Sequence, residues 1–462
     1  MLFGRRGQIT SPLSINTDNH GWSLCDKSIH SSHSNSDPTT VTADGVAVRL
    51  LALHSIRSIL HRRHKMAMVL DRARTELASP RDCALLHQLV AGVLRHFFTL
   101  QADFSRFTND KPTATVEAAL LLGAVQLRHL KVADHAAIYT TVEAIKRVDS
   151  RRAGLVNAIL RRVSSNPPPK RYKPYQRAEM PHWIYTKWRT AFGEEQVAAI
   201  AQAAESLPPL VVAAAGCRST LLKLWHQAGV TAYAGEQSPQ ALTLPADSDV
   251  TALPGWSDGL FMVMDQSAQL AALALPASED LCLDICSSPG GKYAILHPRM
   301  GRVVALELTA QRLPRWQQNI ARLTLANASI VQADALSPPF CPAVAERIML
   351  DAPCTASGLL RRHPDVKFLH DREGIKQASD LQKRMLTTAL TLLKPQGILA
   401  YSVCSIHPEE GEEVIAEALR QEGITPYPLP DILSPYVTAA GMARILPSAT
   451  CDGFFIALLQ RC

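Results

Sequence analysis

Between positions 46 and 163 the apolar residues recur at helical spacing. Val116, Leu120, Gly123 and Leu127 stand at i, i+4, i+7 and i+11, and Leu155, Ile159 and Val163 repeat the period, so each series marks one face of a helix. Strand signals are absent from this span, which predicts an all-α segment ended by the helix-breaking Asn166-Pro-Pro-Pro-Lys. Upstream, residues 1–45 are rich in Ser, Asn, Asp and His with no apolar period, and predict a disordered tail whose His20, His30 and His33 read as solvated side chains. A mixed stretch of about 90 residues follows the linker. Near Gly259 the period changes: short apolar runs at 281–286, 303–308, 330–333, 348–350 and 398–403 alternate with amphipathic helical stretches. One of these helices puts Met385, Ala389 and Leu392 on one face and is ended by Lys394-Pro395-Gln396-Gly397. Strands alternating with helices predict an α/β, Rossmann-like, mostly parallel sheet. The final run, Gly453-Phe-Phe-Ile-Ala-Leu-Leu-Gln, leaves no room for a crossover and is expected to add antiparallel. The expected organisation is a tail at 1–45, a helical domain at 46–163, a linker with a small mixed α/β region at 164–255, and an α/β domain at 256–462.

Composition sets the class. With 462 residues, 47% of them hydrophobic and 19% charged, the chain can bury several cores without disulfide or metal staples. No apolar run reaches the roughly 18 residues of a membrane span, and Met-Leu-Phe-Gly-Arg-Arg-Gly-Gln at the N-terminus lacks the apolar core of a secretory signal, so the expectation is a soluble cytoplasmic protein. The ten cysteines include no Cys-x-x-Cys pair, which points to reduced thiols and no metal site. Charge is uneven. Residues 49–162 hold 19 Lys and Arg against 9 Asp and Glu, a net of +10 in a chain of +7, so all other residues together are net −3. A basic excess confined to one segment is the footprint of a polyanion partner, although a solvated basic helical surface has the same composition.

The chemistry-bearing residues sit where strands end. Leu283-Asp-Ile-Cys-Ser-Ser-Pro-Gly-Gly-Lys292 turns from a strand into a helix, and its glycines let backbone N–H groups approach a ligand. Glu307 ends the next strand, where an acid can hold ribose hydroxyls. Neither a P-loop nor the full dinucleotide fingerprint occurs, which disfavours ATP and NAD. Asp351-Ala-Pro-Cys354 and Ser402-Val-Cys-Ser405 end two further strands on the same edge, so two thiols and a carboxylate converge beside a nucleoside cofactor.

These motifs together resemble the bacterial ribosomal RNA cytosine-C5 methyltransferases that modify small-subunit 16S RNA with S-adenosylmethionine. The resemblance rests on Cys286-Ser-Ser-Pro-Gly-Gly-Lys292, on Asp351-Ala-Pro-Cys354 followed by Gly358 and Arg361-Arg-His-Pro-Asp365, and on Val403-Cys-Ser405 leading into Pro408-Glu-Glu410. Asp265-Gln-Ser-Ala-Gln269 and Asp452-Gly-Phe-Phe455 match the motifs at the entry and end of that family's catalytic domain, and the helical segment resembles its antitermination-factor-type RNA-binding domain. The resemblance implies S-adenosylmethionine held by Cys286, Ser287, Ser288, Pro289, Gly290, Gly291, Lys292, Glu307, Arg312, Asp334 and Asp351. It implies Cys404 as the nucleophile that adds to cytosine C6 and Cys354 as the thiol that assists adduct release. Asp351 would bond the cytosine edge, Lys292 would hold the base or cofactor, and Arg361, Arg362 and His363 would contact RNA phosphates. The implied partner is 16S ribosomal RNA, free or in an assembling subunit, with the chain acting as a monomer. A free thiol has a pKa near 8.5, so about a few per cent is ionised at pH 7 and activation is needed.

The sequence departs from the family pattern at several points. Ser287-Ser288 replaces Ala-Ala, Glu307 replaces an Asp, Tyr293 replaces a small hydroxyl residue, and His297-Pro298 truncates the helix after the cofactor loop. Phe454 and Phe455 are candidates to stack on a flipped base, but alternation along a strand sends at least one into the core. Three other readings stay open: a tRNA cytosine methyltransferase, a non-catalytic RNA-binding assembly factor, and a DNA cytosine methyltransferase, the last disfavoured by the second thiol Cys404.

Overall fold

The computed structural model describes residues 41–462. The expected tail therefore falls outside the described residues up to position 40, as do His20, His30 and His33. Among the described residues seven α-helices come first: α1 (Val41–Arg62), α2 (Met66–Arg74), α3 (Pro80–Arg95), α4 (Phe97–Ser105), α5 (Ala114–Arg128), α6 (Asp134–Lys146) and α7 (Ala153–Ser165). They enclose one apolar core, through which α5 runs buried on most of its faces. The expected face of α7 is turned by one position. Leu155 is 46% exposed, and Val156, Ile159, Leu160 and Val163 form the buried stripe, because the i, i+3, i+4, i+7 set starting at Val156 is the wider apolar face.

After the proline linker come α8 (Pro174–Arg177), α9 (His182–Phe192) and α10 (Glu194–Glu205). A small antiparallel sheet follows, ordered β2-β3-β1-β4, from β1 (Leu210–Ala214), β2 (Tyr233–Ala234), β3 (Ala241–Leu244) and β4 (Phe261–Val263), with α11 (Arg218–Gln227) between β1 and β2.

The larger sheet has eight strands. They are β5 (Ser278–Ile285), β6 (Met300–Glu307), β7 (Ser329–Gln332), β8 (Ala345–Asp351), β9 (Leu393–Val403), β10 (Ile424–Pro426), β11 (Ala443–Ile445) and β12 (Phe454–Arg461). Helices α12 (Gln266–Ala274), α13 (Gly291–Leu296), α14 (Leu313–Arg322), α15 (Val366–Leu369), α16 (Arg372–Leu392) and α17 (Glu412–Ala418) flank or connect them. The order is β10-β12-β9-β8-β5-β6-β7, with β11 paired to β12. The five strands β5 to β9 are parallel, and β12 joins β9 antiparallel, as the missing crossover requires. Separate apolar clusters cover the two faces. Lys394-Pro395-Gln396-Gly397 lies within the start of β9 and not in a separate loop, since strand pairing already begins at Leu393.

Chain order reverses between β5 and β8: β6 and β7 extend the sheet one way, β8 and β9 the other. A crevice opens at such a switch point, outside the carboxyl ends of the strands. The helical segment is fastened close to that edge. Lys367 donates to the carbonyls of Glu179 (2.6 Å) and Arg95 (3.2 Å), Asp365 accepts the Met66 N–H at 2.8 Å, and the Glu179 carboxylate accepts the N–H groups of Phe98 and Thr99 that open α4. Among the described residues no single helix is long and apolar enough to cross a membrane.

Candidate active site

The turn after β5 is built for close approach. Gly290 has φ 98°, a conformation that favours glycine, and a Cβ there would crowd Ile320 and Trp316 at 3.3 Å. The Ser287 hydroxyl donates to Asp284 at 2.5 Å and accepts from the Trp316 indole at 3.0 Å, while the Ser287 N–H bonds Leu306. These bonds lock the turn between β5, β6 and α14. Tyr293 is core: it is fully buried, its hydroxyl donates to Val303 and accepts from Ser329, and its ring packs edge-on to Trp316. Helix α13 is six residues long and gives way to a 3₁₀ turn at His297–Arg299, which realises the expected truncation.

Three buried polar atoms around this turn lack a protein partner: Asp284 Oδ1, Ser288 Oγ and Glu307 Oε2. Leaving such a group unsatisfied costs about 1–3 kcal/mol each. Three of them at the carboxyl ends of β5 and β6 fit the amino, carboxyl and ribose hydroxyl groups of a nucleoside-type cofactor. Glu307 is 3% exposed and is aimed by the Thr309 N–H, which donates to its other oxygen at 3.0 Å. Arg312 lies 3.9 Å from that oxygen and is 60% exposed at the rim. Burial pushes the Asp284 carboxyl up to about 7 against the pull of Ser287 and Lys292. Burial also pushes the half-buried Cys286 thiol up to about 12, so it stays protonated in the pocket wall. Asp334 is exposed past β7 and accepts its own turn's Leu336 N–H at 2.9 Å.

The second half of the site gathers the expected reactive groups. The Lys292 ammonium sits 2.7 Å from Asp351 and 5.0 Å from the centre of the Phe454 ring, and the Ser402 hydroxyl donates to the other Asp351 oxygen at 2.8 Å. Cys354 and Cys404, both half-buried, bring their sulfurs to 3.3 Å. The hydrogen bond to Cys404, burial, and the facing charge of Glu410 hold the Cys354 thiol well above the ordinary range. Phe454 and Phe455 are both buried, Phe455 edge-on to Tyr401, so neither offers a free stacking face.

The expected phosphate contacts need correction. Arg361 is 1% exposed; it donates to the carbonyls of Ser448 and Ala449 and to Asp452 at 3.0 Å, and lies 3.6 Å from Asp265. Arg362 bridges the same acids, at 2.5 Å to Asp452 and 2.8 Å to Asp265. Two carboxylates brought together inside the fold need two cations, and these arginines supply them. His363 is half-buried in the following turn, its N–H bonded to Leu359. The sequence motifs beginning Asp265 and Asp452 thus meet each other through the arginine pair.

Comparisons with known proteins identify the family and the fold. Residues 271–460 match the family model of the 16S rRNA methyltransferase RsmB/F, residues 46–165 that of the NusB family, and residues 180–251 the RsmF/B-like ferredoxin-like domain. The chain is 32% identical over 438 residues to the ribosomal RNA small subunit methyltransferase B of Cronobacter sakazakii, covering 90% of this chain and 98% of that protein. It is 32% identical over 433 residues to the protein of the same name from Vibrio cholerae, covering 90% and 97%. Among solved structures, PH0851 aligns with a TM-score of 0.74 at 19% identity over 90% of this chain and 99% of that one. NSun6 from Pyrococcus horikoshii, solved with SFG, aligns with a TM-score of 0.56 at 19% identity over 61% and 98%. The chain therefore belongs to the RsmB/F family of S-adenosylmethionine-dependent ribosomal RNA methyltransferases.

Proposed function

We propose that the protein methylates C5 of a cytosine in small-subunit ribosomal RNA through a covalent bond between Cys404 and C6. The observation that carries this reading is the pair of thiols 3.3 Å apart at the ends of β8 and β9, beside the Lys292–Asp351 ion pair. Cytosine C5 is a poor nucleophile. Addition of the Cys404 thiolate to C6 moves the C5–C6 π pair onto C5, which can then take a methyl group. Glu307, Ser288, Asp284 and the backbone of the Ser287–Gly291 turn would hold S-adenosylmethionine, which when bound would supply that methyl and leave as S-adenosylhomocysteine. Asp351, oriented by Lys292 and Ser402, offers an acceptor to the cytosine amino group, and Lys292 offers a cation to charge spreading into the ring. Transfer of the C5 proton to solvent water acting as the base then leaves its bonding pair to re-form the C5–C6 double bond and expels the Cys404 thiolate, which the Cys354 S–H stabilises as a hydrogen-bond donor. Bisulfite mapping of ribosomal RNA tests the whole reading. One cytosine should resist conversion in the wild type and convert in cells lacking the gene; identical maps would overturn it.

Two further results are expected. Glu307→Ala should raise the KM for S-adenosylmethionine roughly 10- to 150-fold, because removing a charged hydrogen bond costs about 1.5–3 kcal/mol. RNA affinity measured on the same variant should stay within error, and equal loss of both would mean misfolding. RNA binding itself is assigned to the basic helical segment, where Arg147, Arg151, Arg152 and Arg161, at the end of α6, in the turn before α7 and on α7, are each exposed. Replacing all four by Gln should weaken RNA binding and make its salt dependence shallower, by about 0.7 in the log–log slope for each phosphate no longer neutralised. An unchanged slope would show that this face is only solvated.

A further inference from the structure

Glu410 lies in a 3₁₀ turn, Pro408–Glu410, just past the Cys404 loop, and is 0% exposed. One carboxylate oxygen accepts the Thr355 N–H at 2.8 Å and the Gln382 side-chain amide at 3.0 Å; the other accepts the hydroxyls of Thr355 and Ser405. Thr355 follows Cys354 and Ser405 follows Cys404. Gln382 also donates to the Pro353 carbonyl at 2.9 Å, and the Tyr401 hydroxyl donates to the Glu410 carbonyl at 2.7 Å. Every acceptor site of this carboxylate is therefore spent on the two segments that carry the thiols and on the helix behind them. All of these donors are neutral. A buried carboxylate without a cation is expensive, and an apolar side chain would fill the same space without that cost.

We infer that Glu410 is a positioning residue: its carboxylate clamps the Cys354 loop to the Cys404 loop and holds the two sulfurs at working distance. The inference rests on the proposed roles of the two thiols, which it deepens. The clamp has a second consequence. The groups facing Cys354 are Cys404, Glu410 and Tyr401, together with the Ala356 N–H. The Glu410 charge, added to the bond with Cys404 and to burial, disfavours the Cys354 thiolate and keeps Cys354 the S–H donor of the pair. One side chain thus sets both the spacing and the division of labour.

The test uses the full chain and reads the pair directly. Diamide removes the two thiol hydrogens and joins Cys354 to Cys404, and peptide-resolved iodoacetamide labelling reports which thiol ionises. Glu410→Gln should melt near the wild type and bind S-adenosylmethionine equally well. Its disulfide should form about tenfold more slowly, since disulfide geometry is exacting. Labelling of Cys354 should rise relative to Cys404. The kcat should fall about 100-fold at unchanged cofactor KM, the scale of penalty for a displacement of about 1 Å. Should Glu410→Gln not fold, Thr355→Val combined with Ser405→Ala removes two arms of the clamp and should slow disulfide formation in the same direction. Wild-type crosslinking and labelling in a folded variant would overturn the clamp. Slower crosslinking in Glu410→Gln together with full turnover in Cys404→Ala would leave the clamp standing and remove the covalent mechanism.

Discussion

Cys354→Ala is expected to accumulate a protein–RNA adduct that survives denaturing electrophoresis, while Cys404→Ala forms no adduct and transfers no methyl group. The two sulfurs are 3.3 Å apart, yet their surroundings differ. The bond to Cys404, burial and the charge of Glu410 push the Cys354 thiol up, and in the proposed mechanism Cys354 is the donor to its neighbour and Cys404 the attacking group. Removing Cys404 takes away the route to a nucleophilic C5, and turnover should drop by about 10⁴-fold or more, the scale on which loss of a covalent nucleophile is felt. Removing Cys354 leaves addition and methyl transfer intact but takes the hydrogen bond from the departing sulfur, so the adduct waits. The double variant should look like Cys404→Ala, because trapping needs prior addition. An adduct in Cys404→Ala and none in Cys354→Ala would make Cys354 the nucleophile. Full turnover in both single variants would remove covalent catalysis by these residues.

What the sequence made legible was whatever is written locally. Apolar periodicity marked out the helical segment, and the change of period near Gly259 marked the alternating strands and helices. The short final run implied the antiparallel β12. The strand-end motifs placed Lys292, Asp351, Cys354 and Cys404 on one edge because strand, turn and helix follow one another within a few residues. Long-range partnership was not legible. Arg361-Arg-His reads as an exposed basic loop, since nothing nearby in sequence says that Asp265 and Asp452, about 90 residues away on either side, fold onto it. Glu410 was visible only as part of a motif; its meaning comes from Thr355 and Gln382, 55 and 28 residues distant. The join through Lys367 and Glu179 was hidden for the same reason. Leu155 misled differently: a two-turn apolar series fits two adjacent faces of a helix, and packing chose the one on Val156.

The arginine correction carries the largest stability effect expected of a single substitution. Arg361 sits between the buried Asp452 and the mostly buried Asp265, and Arg362 alone would be left to balance both in Arg361→Ala. The substitution also strands the carbonyls of Ser448 and Ala449, which hold the turn before β12. Breaking a buried ion pair by removing one partner costs about 3–5 kcal/mol, because the remaining charge keeps its desolvation penalty without its compensation. Urea unfolding of Arg361→Ala should show that loss. Asp452→Asn introduced into the same variant should restore part of it, the interaction energy appearing as non-additivity in the cycle. The loss should be structural and not electrostatic toward RNA. Gly453, next to Asp452, packs so closely on Gly358 that a Cβ on Gly358 would lie 2.2 Å from the Gly453 carbonyl oxygen, so any shift of Asp452 moves the entry to β12 and the loop after Cys354 together. RNA binding by folded Arg361→Ala at low temperature should therefore keep the wild-type salt slope. A variant with undiminished urea stability and a slope shallower by about 0.7 would instead make Arg361 a phosphate ligand, as its sequence context suggested.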